Sequence, residues 1–167
     1  MNDFKIIQET AKGEIPSIDH LLPHFVRVTD IDDSPDLTDV HPRDRTDLHL
    51  FFIPVDEKLF PNTAKLIKEN SNITSAAILG FAPNSQLYPH VDTVELPPYA
   101  EVDWLSVFMG LYVPSYDTDL VAVKIGDTVY CHKDIIVFNA QIPHLAWNKT
   151  DEWWISIRLS VLKSAFN

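Results

Sequence analysis

The sequence predicts a mainly β protein of the sandwich or jelly-roll class, and three observations carry that prediction. From residue 73 onward, eight short apolar or alternating runs follow one another, at 73–81, 86–91, 104–113, 120–125, 128–132, 135–139, 144–147 and 153–162. So many short strands in about ninety residues is the pattern of two packed β-sheets. Gly126-Asp127 separates two of the runs and reads as a hairpin turn. Finally, 46% hydrophobic residues in a chain of 167 is ordinary for a folded protein and enough to bury the core of one domain.

The N-terminal part is less patterned. Residues 1 to 46 are rich in Asp and Pro, with a short strand expected around Phe25-Val26-Arg27-Val28. The run Asp30-Ile31-Asp32-Asp33-Ser34-Pro35-Asp36 reads as a solvated loop. It lacks the glycine and the distal glutamate that a calcium-binding loop requires. His41-Pro42-Arg43-Asp44-Arg45 is polar and expected at the surface, and residues 47–55 read as a strand. Residues 62–70 have helical spacing, with Pro61 before a cap at Asn62 or Thr63 and Leu66 and Ile67 as a small apolar face. This helix is expected to buttress one sheet.

Composition excludes several function classes. The formal net charge is −11, and no run of Lys and Arg occurs, so nucleic acid and anionic membranes are not expected partners. No apolar run approaches the roughly 20 residues needed to span a bilayer. The start Met1-Asn2-Asp3-Phe4-Lys5 lacks the basic and then apolar pattern of a secretory signal. A single cysteine, Cys131, rules out an internal disulfide and is expected to be a packing thiol. The expected location is the cytoplasm.

The segment Gln86-Leu87-Tyr88-Pro89-His90-Val91-Asp92 carries the chemistry. Residues two apart on a strand point to the same face, so His90 and Asp92 can approach one metal ion together. His144, in Pro143-His144-Leu145-Ala146-Trp147-Asn148, can supply a third ligand. Two histidines and one carboxylate on one face suit non-haem Fe(II), with positions left open for substrate and O2. The competing reading is that each histidine is a satisfied core residue. With seven histidines and 24 acids, a His-x-Asp pair arises readily by chance. A second one, His132-Lys133-Asp134, serves as an internal control. It falls where a turn should join two strands, and is expected to be a surface turn. After His90 and Asp92 the chain enters Thr93-Val94-Glu95-Leu96-Pro97-Pro98-Tyr99, a loop long enough to cover a site.

A cation is also needed if the site takes an acid such as 2-oxoglutarate, whose far carboxylate suits an arginine fork. Trp154, Ser156, Arg158 and Ser160 alternate along the last strand and share one face. An arginine inside a strand is costly unless it is paired or faces a polar cavity. Arg158 is therefore expected to anchor an anion, with Ser160 as a second donor. The alternative places Arg158 on a solvent-facing side of the strand.

Several blocks, in order, resemble the aspartyl/asparaginyl β-hydroxylase family of Fe(II)- and 2-oxoglutarate-dependent oxygenases. They are Phe81-Ala82-Pro83-Asn84-Ser85, Pro89-His90-Val91-Asp92, Met109-Gly110-Leu111-Tyr112-Val113-Pro114 and Val121-Ala122-Val123-Lys124-Ile125-Gly126. Ile136-Val137-Phe138-Asn139 and His144-Leu145-Ala146-Trp147-Asn148-Lys149-Thr150-Asp151 complete the set. The resemblance covers about residues 75–162. It implies a double-stranded β-helix, a jelly-roll, cupin-like fold with a few N-terminal helical elements. The expected organisation is a single domain over residues 1–167, with residues 1–72 buttressing a core at 73–163.

The resemblance also implies Fe(II) held by His90, Asp92 and His144, and 2-oxoglutarate as co-substrate. The implied reaction is hydroxylation of an unactivated C–H bond in an amino acid, free or peptidyl, using O2. Two positions depart from the family pattern. The arginine that the family places ten residues after its distal histidine is Trp154 here, and Arg158 lies fourteen residues after His144. An arginine and a histidine before the Gly-Leu segment are replaced by Ser106 and Phe108, so the substrate is expected to differ from that of relatives. The alternative function is a cupin-like metal-binding or structural module without 2-oxoglutarate turnover. A cupin-type metalloenzyme in which Arg158 anchors another acidic substrate is a further possibility.

Overall fold

A computed structural model describes residues 2–27, 50–92, 103–133 and 135–166. The expectations for the acidic run at 30–36, the polar segment at 41–45, the loop at 93–99 and Asp134 lie outside these residues. Among the described residues, ten strands form two antiparallel sheets: β1 (Val26–Arg27), β2 (Leu50–Pro54), β3 (Ile73–Phe81), β4 (Ser85–His90), β5 (Trp104–Tyr112), β6 (Val121–Ile125), β7 (Thr128–Tyr130), β8 (Ile136–Phe138), β9 (His144–Asn148) and β10 (Trp154–Leu162). One sheet has the order β1-β2-β3-β10-β5-β8 and the other β4-β9-β6-β7. From β3 on, the chain passes between the sheets at nearly every connection. After β3, among the described strands, only β6 and β7 are sequential neighbours, joined through Gly126 at φ +54°. This winding is a double-stranded β-helix, and the fold class read from the sequence is the one observed.

Burial explains the layers. Along β10 the side chains alternate. Ile155, Ile157, Leu159 and Val161 pack outward in a core shared with Phe4, Ile7, Ala11 and Ile78. Trp154 turns inward to a second core with Phe81, Leu87, Phe108, Val123 and Ala146, between the two sheets. The outward core is closed by α1 (Asn2–Gly13), one of the few N-terminal helical elements expected, although the weak patterning of the region did not place it. Its signal is brief: Phe4, Ile7 and Ala11 fall on one helical face and are buried.

The expected second helix is α3 (Pro61–Glu69), with a short helical turn α2 (Ile18–Leu21) between it and α1. Pro61 occupies the first turn, but the residue at the cap is Phe60, which gives no side-chain hydrogen bond. The free N–H groups of Asn62 and Thr63 are taken instead by the carboxylate of Glu14, at 2.7 and 3.1 Å. The cap expected at Asn62 or Thr63 is thus supplied by a residue 48 positions away. This joins α1 to α3 and so fastens the helical layer.

Candidate metal centre

His90 closes β4, His144 opens β9, and the two are paired directly across the four-stranded sheet. Their rings lie 4.2 Å apart between centroids. Asp92 follows β4 by two residues, where its backbone N–H donates to Ala140 O at 2.9 Å. That bond returns Asp92 to the strand end and turns its carboxylate toward both histidines. Asp92 Oδ1 is 3.5 Å from His90 Nε2 and 3.6 Å from His144 Nε2. One ligand atom from each of the three lies within 4.8 Å of the others. Among the described residues, no other group of three His, Cys, Asp or Glu side chains meets this test.

The tautomers follow from the neighbours. His90 Nδ1 lies 2.9 Å from Tyr88 O, and His144 Nδ1 lies 2.9 Å from Ile142 O. A carbonyl only accepts, so Nδ1 carries the proton in each ring and the neutral ring presents Nε2 as a lone pair. Two lone pairs and a carboxylate oxygen then converge on one small volume. That arrangement is unfavourable without a cation between them, and it fits a divalent metal with N2O ligation and carbonyl-oriented imidazoles.

The carboxyl of Asp92 is prepared to be an anion. Burial alone would push its pKa up, but His144 and His90, which donate to it through Nε2 when that atom carries a proton, and the charge of Arg158 hold it well below the usual carboxylate range. Arg158 reaches the triad from β10 in the opposite sheet. Its Nη2 donates to Asp92 Oδ2, and its Nε donates to Ser106 Oγ at 2.8 Å. The guanidinium also lies over the ring of Trp104, 5.6 Å from the centroid. Ser160, two residues on, accepts from Ser75 Oγ at 3.0 Å. The structure therefore brings His90, Asp92, His144 and Arg158 into one constellation, and leaves Ser160 at its margin.

The deeper wall is aromatic. Trp154 is fully buried and stacks on Phe81 at 4.3 Å, with Phe108 at 5.9 Å. His132, expected in a surface turn, is instead 2% exposed, packed against Phe108 at 4.2 Å and edge-on to Trp154 at 5.2 Å. The reason lies in β5. A Cβ at Gly110 would stand 3.0 Å from His132 O, so only glycine lets the chain pass this close. Cys131 is partly buried and donates its thiol to Tyr116 O at 3.3 Å. Sequence reasoning did not find Ser106 as a partner of Arg158, nor Asn148 as a structural hub. Ser106 is 52 residues from Arg158, and only the register of β5 against β10 makes them neighbours.

A double-stranded β-helix with two histidines and a carboxylate gathered beside paired strand ends defines the class: a cupin-like barrel with a group of side chains that could hold a metal ion. Within that class, residues 51–162 match the aspartyl/asparaginyl beta-hydroxylase family. The match spans about two thirds of the chain, and the chain belongs to that family. No curated protein matches it in sequence. Among solved structures, the non-heme alpha ketoglutarate dependent carbocyclase SnoK from nogalamycin biosynthesis aligns with a TM-score of 0.61 at 10% identity, over 92% of this chain and 74% of that one. The cupin domain of Schizosaccharomyces pombe Cnp3 aligns with a TM-score of 0.44 at 10% identity, over 71% of this chain and 69% of that one. At such identities the likeness is one of fold.

Proposed function

We propose that the chain is an Fe(II)- and 2-oxoglutarate-dependent dioxygenase that hydroxylates an unactivated C–H bond, in a free amino acid or a peptidyl side chain. The observation that carries this reading is the convergence of His90, His144 and Asp92, with both Nε2 atoms at 3.5 and 3.6 Å from Asp92 Oδ1, in a member of the aspartyl/asparaginyl beta-hydroxylase family. In this reading those three atoms hold the metal, and one face stays open to co-substrate and O2. When bound, Fe(II) would activate O2 as the oxidant, with one oxygen atom going to the hydroxylated carbon and the other to 2-oxoglutarate, which supplies two electrons and leaves as succinate and CO2.

The remaining work falls to the chain. The carbonyls of Tyr88 and Ile142 fix the two imidazoles as Nε2 donors. Arg158 provides the positive charge an acidic co-substrate needs, with N–H groups beyond those given to Asp92 and Ser106. Ser160, on the same strand face, is its proposed companion donor. Phe81, Phe108 and Trp154 form a wall that keeps water from the reacting groups.

One observation favours the alternative, a cupin-like metal-binding or structural module. Trp154, fully buried, fills the position where the family carries its co-substrate arginine. The two readings separate on one assay. The purified chain, given Fe(II), 2-oxoglutarate and ascorbate under air, is expected to release succinate, and His90→Ala is expected to abolish it. Tight Fe(II) binding with no binding of 2-oxoglutarate in anaerobic titration would instead favour the module.

A further inference from the structure

We propose that Arg158 is a positioning residue for the metal ligand Asp92, setting the metal affinity of the site before any co-substrate arrives. The inference rests on the metal-binding reading above. Asp92 has two oxygens with separate surroundings. Oδ1 faces His90 and His144 at 3.5 and 3.6 Å, and Oδ2 is taken by Arg158 Nη2. A carboxylate held this way offers one oxygen to a cation and cannot rotate to offer both.

The clamp is itself built. Arg158 Nε is committed to Ser106 Oγ at 2.8 Å, and Ser106 is fully buried on β5. Trp104, from the same strand, lies under the guanidinium. The planar fork is thus fixed at two of its edges and across its face, and it transmits the rigidity of the six-stranded sheet to a ligand lying just past the four-stranded one. Asp92 needs such a support, because it lies beyond the end of β4, where among the described residues its backbone is tied by the bond to Ala140 O. An arginine acting only as a co-substrate anchor would have no need to bond the ligand carboxylate.

The sign of the effect makes the role testable. A bare positive charge beside a metal site repels the metal, so its removal should tighten metal binding. A positioning residue does the reverse. The experiment is anaerobic titration of the full chain with Fe(II) alone, followed by calorimetry. Co(II) is then used as a spectroscopic probe of the ligand set, without 2-oxoglutarate in either case. Wild type is compared with Arg158→Ala, Arg158→Lys and Ser106→Ala, with circular dichroism to show that each variant is folded.

Loss of an outer partner of this kind weakens metal binding by roughly ten- to a hundred-fold, and Arg158→Ala is expected in that range. Arg158→Lys keeps the charge but not the fork, so it is also expected to bind more weakly and to shift the Co(II) absorption. Ser106→Ala is expected to show the same change at smaller amplitude. Equal or tighter Fe(II) binding by Arg158→Ala overturns the proposal. If that variant does not fold, an unchanged affinity and Co(II) spectrum in Ser106→Ala overturns it instead. A wild-type chain that binds neither metal overturns the proposed function, and this role with it. Wild-type binding matched by the variants removes only the positioning role.

Discussion

Asn148, a buried side chain at the end of β9, makes hydrogen bonds from both ends of its carboxamide. Nδ2 donates to Phe81 O, Ala82 O and Glu152 O at 3.3, 3.1 and 2.8 Å, and Oδ1 accepts from Thr150 Oγ1 at 2.7 Å. It ties the turn after β9 to the connection between β3 and β4, where Asn84, in the left-handed region at φ +54°, donates to Asp151 at 2.9 Å. Asn148→Ala would remove the shared donor of three carbonyls, although Ser85 Oγ still donates to Ala82 O and Thr150 Oγ1 to Glu152 O, at a cost of about 1–3 kcal/mol for several hydrogen bonds worth about 0.5–1.5 kcal/mol each. Chemical denaturation of the wild type and the variant measures it directly. The Asn…Asp part of the family block thus makes structural bonds, although the sequence does not separate it from the candidate ligand His144. At this scale the sequence was most informative where two functional atoms are near neighbours in the chain. His90 and Asp92 were paired by strand geometry, whereas the Arg158–Asp92 contact spans 66 residues and needs the relation between the two sheets.

Among elements, the cap of α3 yields a prediction with a definite pH sign. Burial alone would push the Glu14 carboxyl up, but its hydrogen bonds from Thr63 and Asn62 outweigh that and hold its pKa below the ordinary value. A carboxyl with a lowered folded pKa stabilises the fold at pH values above its unfolded pKa, and loses that contribution as the pH falls through the folded one. Glu14→Gln is expected to lower stability by about 1 kcal/mol near neutral pH, the usual worth of an N-cap. In thermal melts the gap between wild type and variant should close as the pH is taken below about 4, near the unfolded carboxyl value. The strands after residue 73 were legible because alternation and turn residues repeat so often that each run is bounded on both sides. Helix α1 was not, since its three buried residues Phe4, Ile7 and Ala11 stand among Asp, Glu, Gln and Lys in a region whose composition argues for loop.

For the whole molecule, the helical layer and the candidate site sit on opposite faces of one sheet. Without residues 1–27, the outward row of Ile155, Ile157, Leu159 and Val161, with Val107 and Met109 beside it, would lose its cover of Phe4, Ile7, Ala11 and Leu21. Such an apolar sheet face is an aggregation surface. A chain beginning at residue 50 is therefore expected to form large species on size-exclusion chromatography, while retaining every residue of the candidate metal centre. The proximity of His90, Asp92 and His144 was readable from the sequence in outline. The aromatic wall was not, because His132 enters it by a close pass against Gly110 that no local pattern announces. Among the described residues, no helix is long and apolar enough to cross a membrane.

The alternation along β10 has a consequence for how this protein can change over generations. Its odd-numbered positions meet only hydrocarbon, so exchanges that conserve volume, such as leucine for methionine at 159, disturb little. Its even-numbered positions at 156 and 158 are polar, and Arg158 is bound to Ser106 on β5 and to Asp92 just past β4. Divergence can therefore proceed on one side of the strand with little effect on the other, and the inner wall can be reshaped without refitting the helices outside.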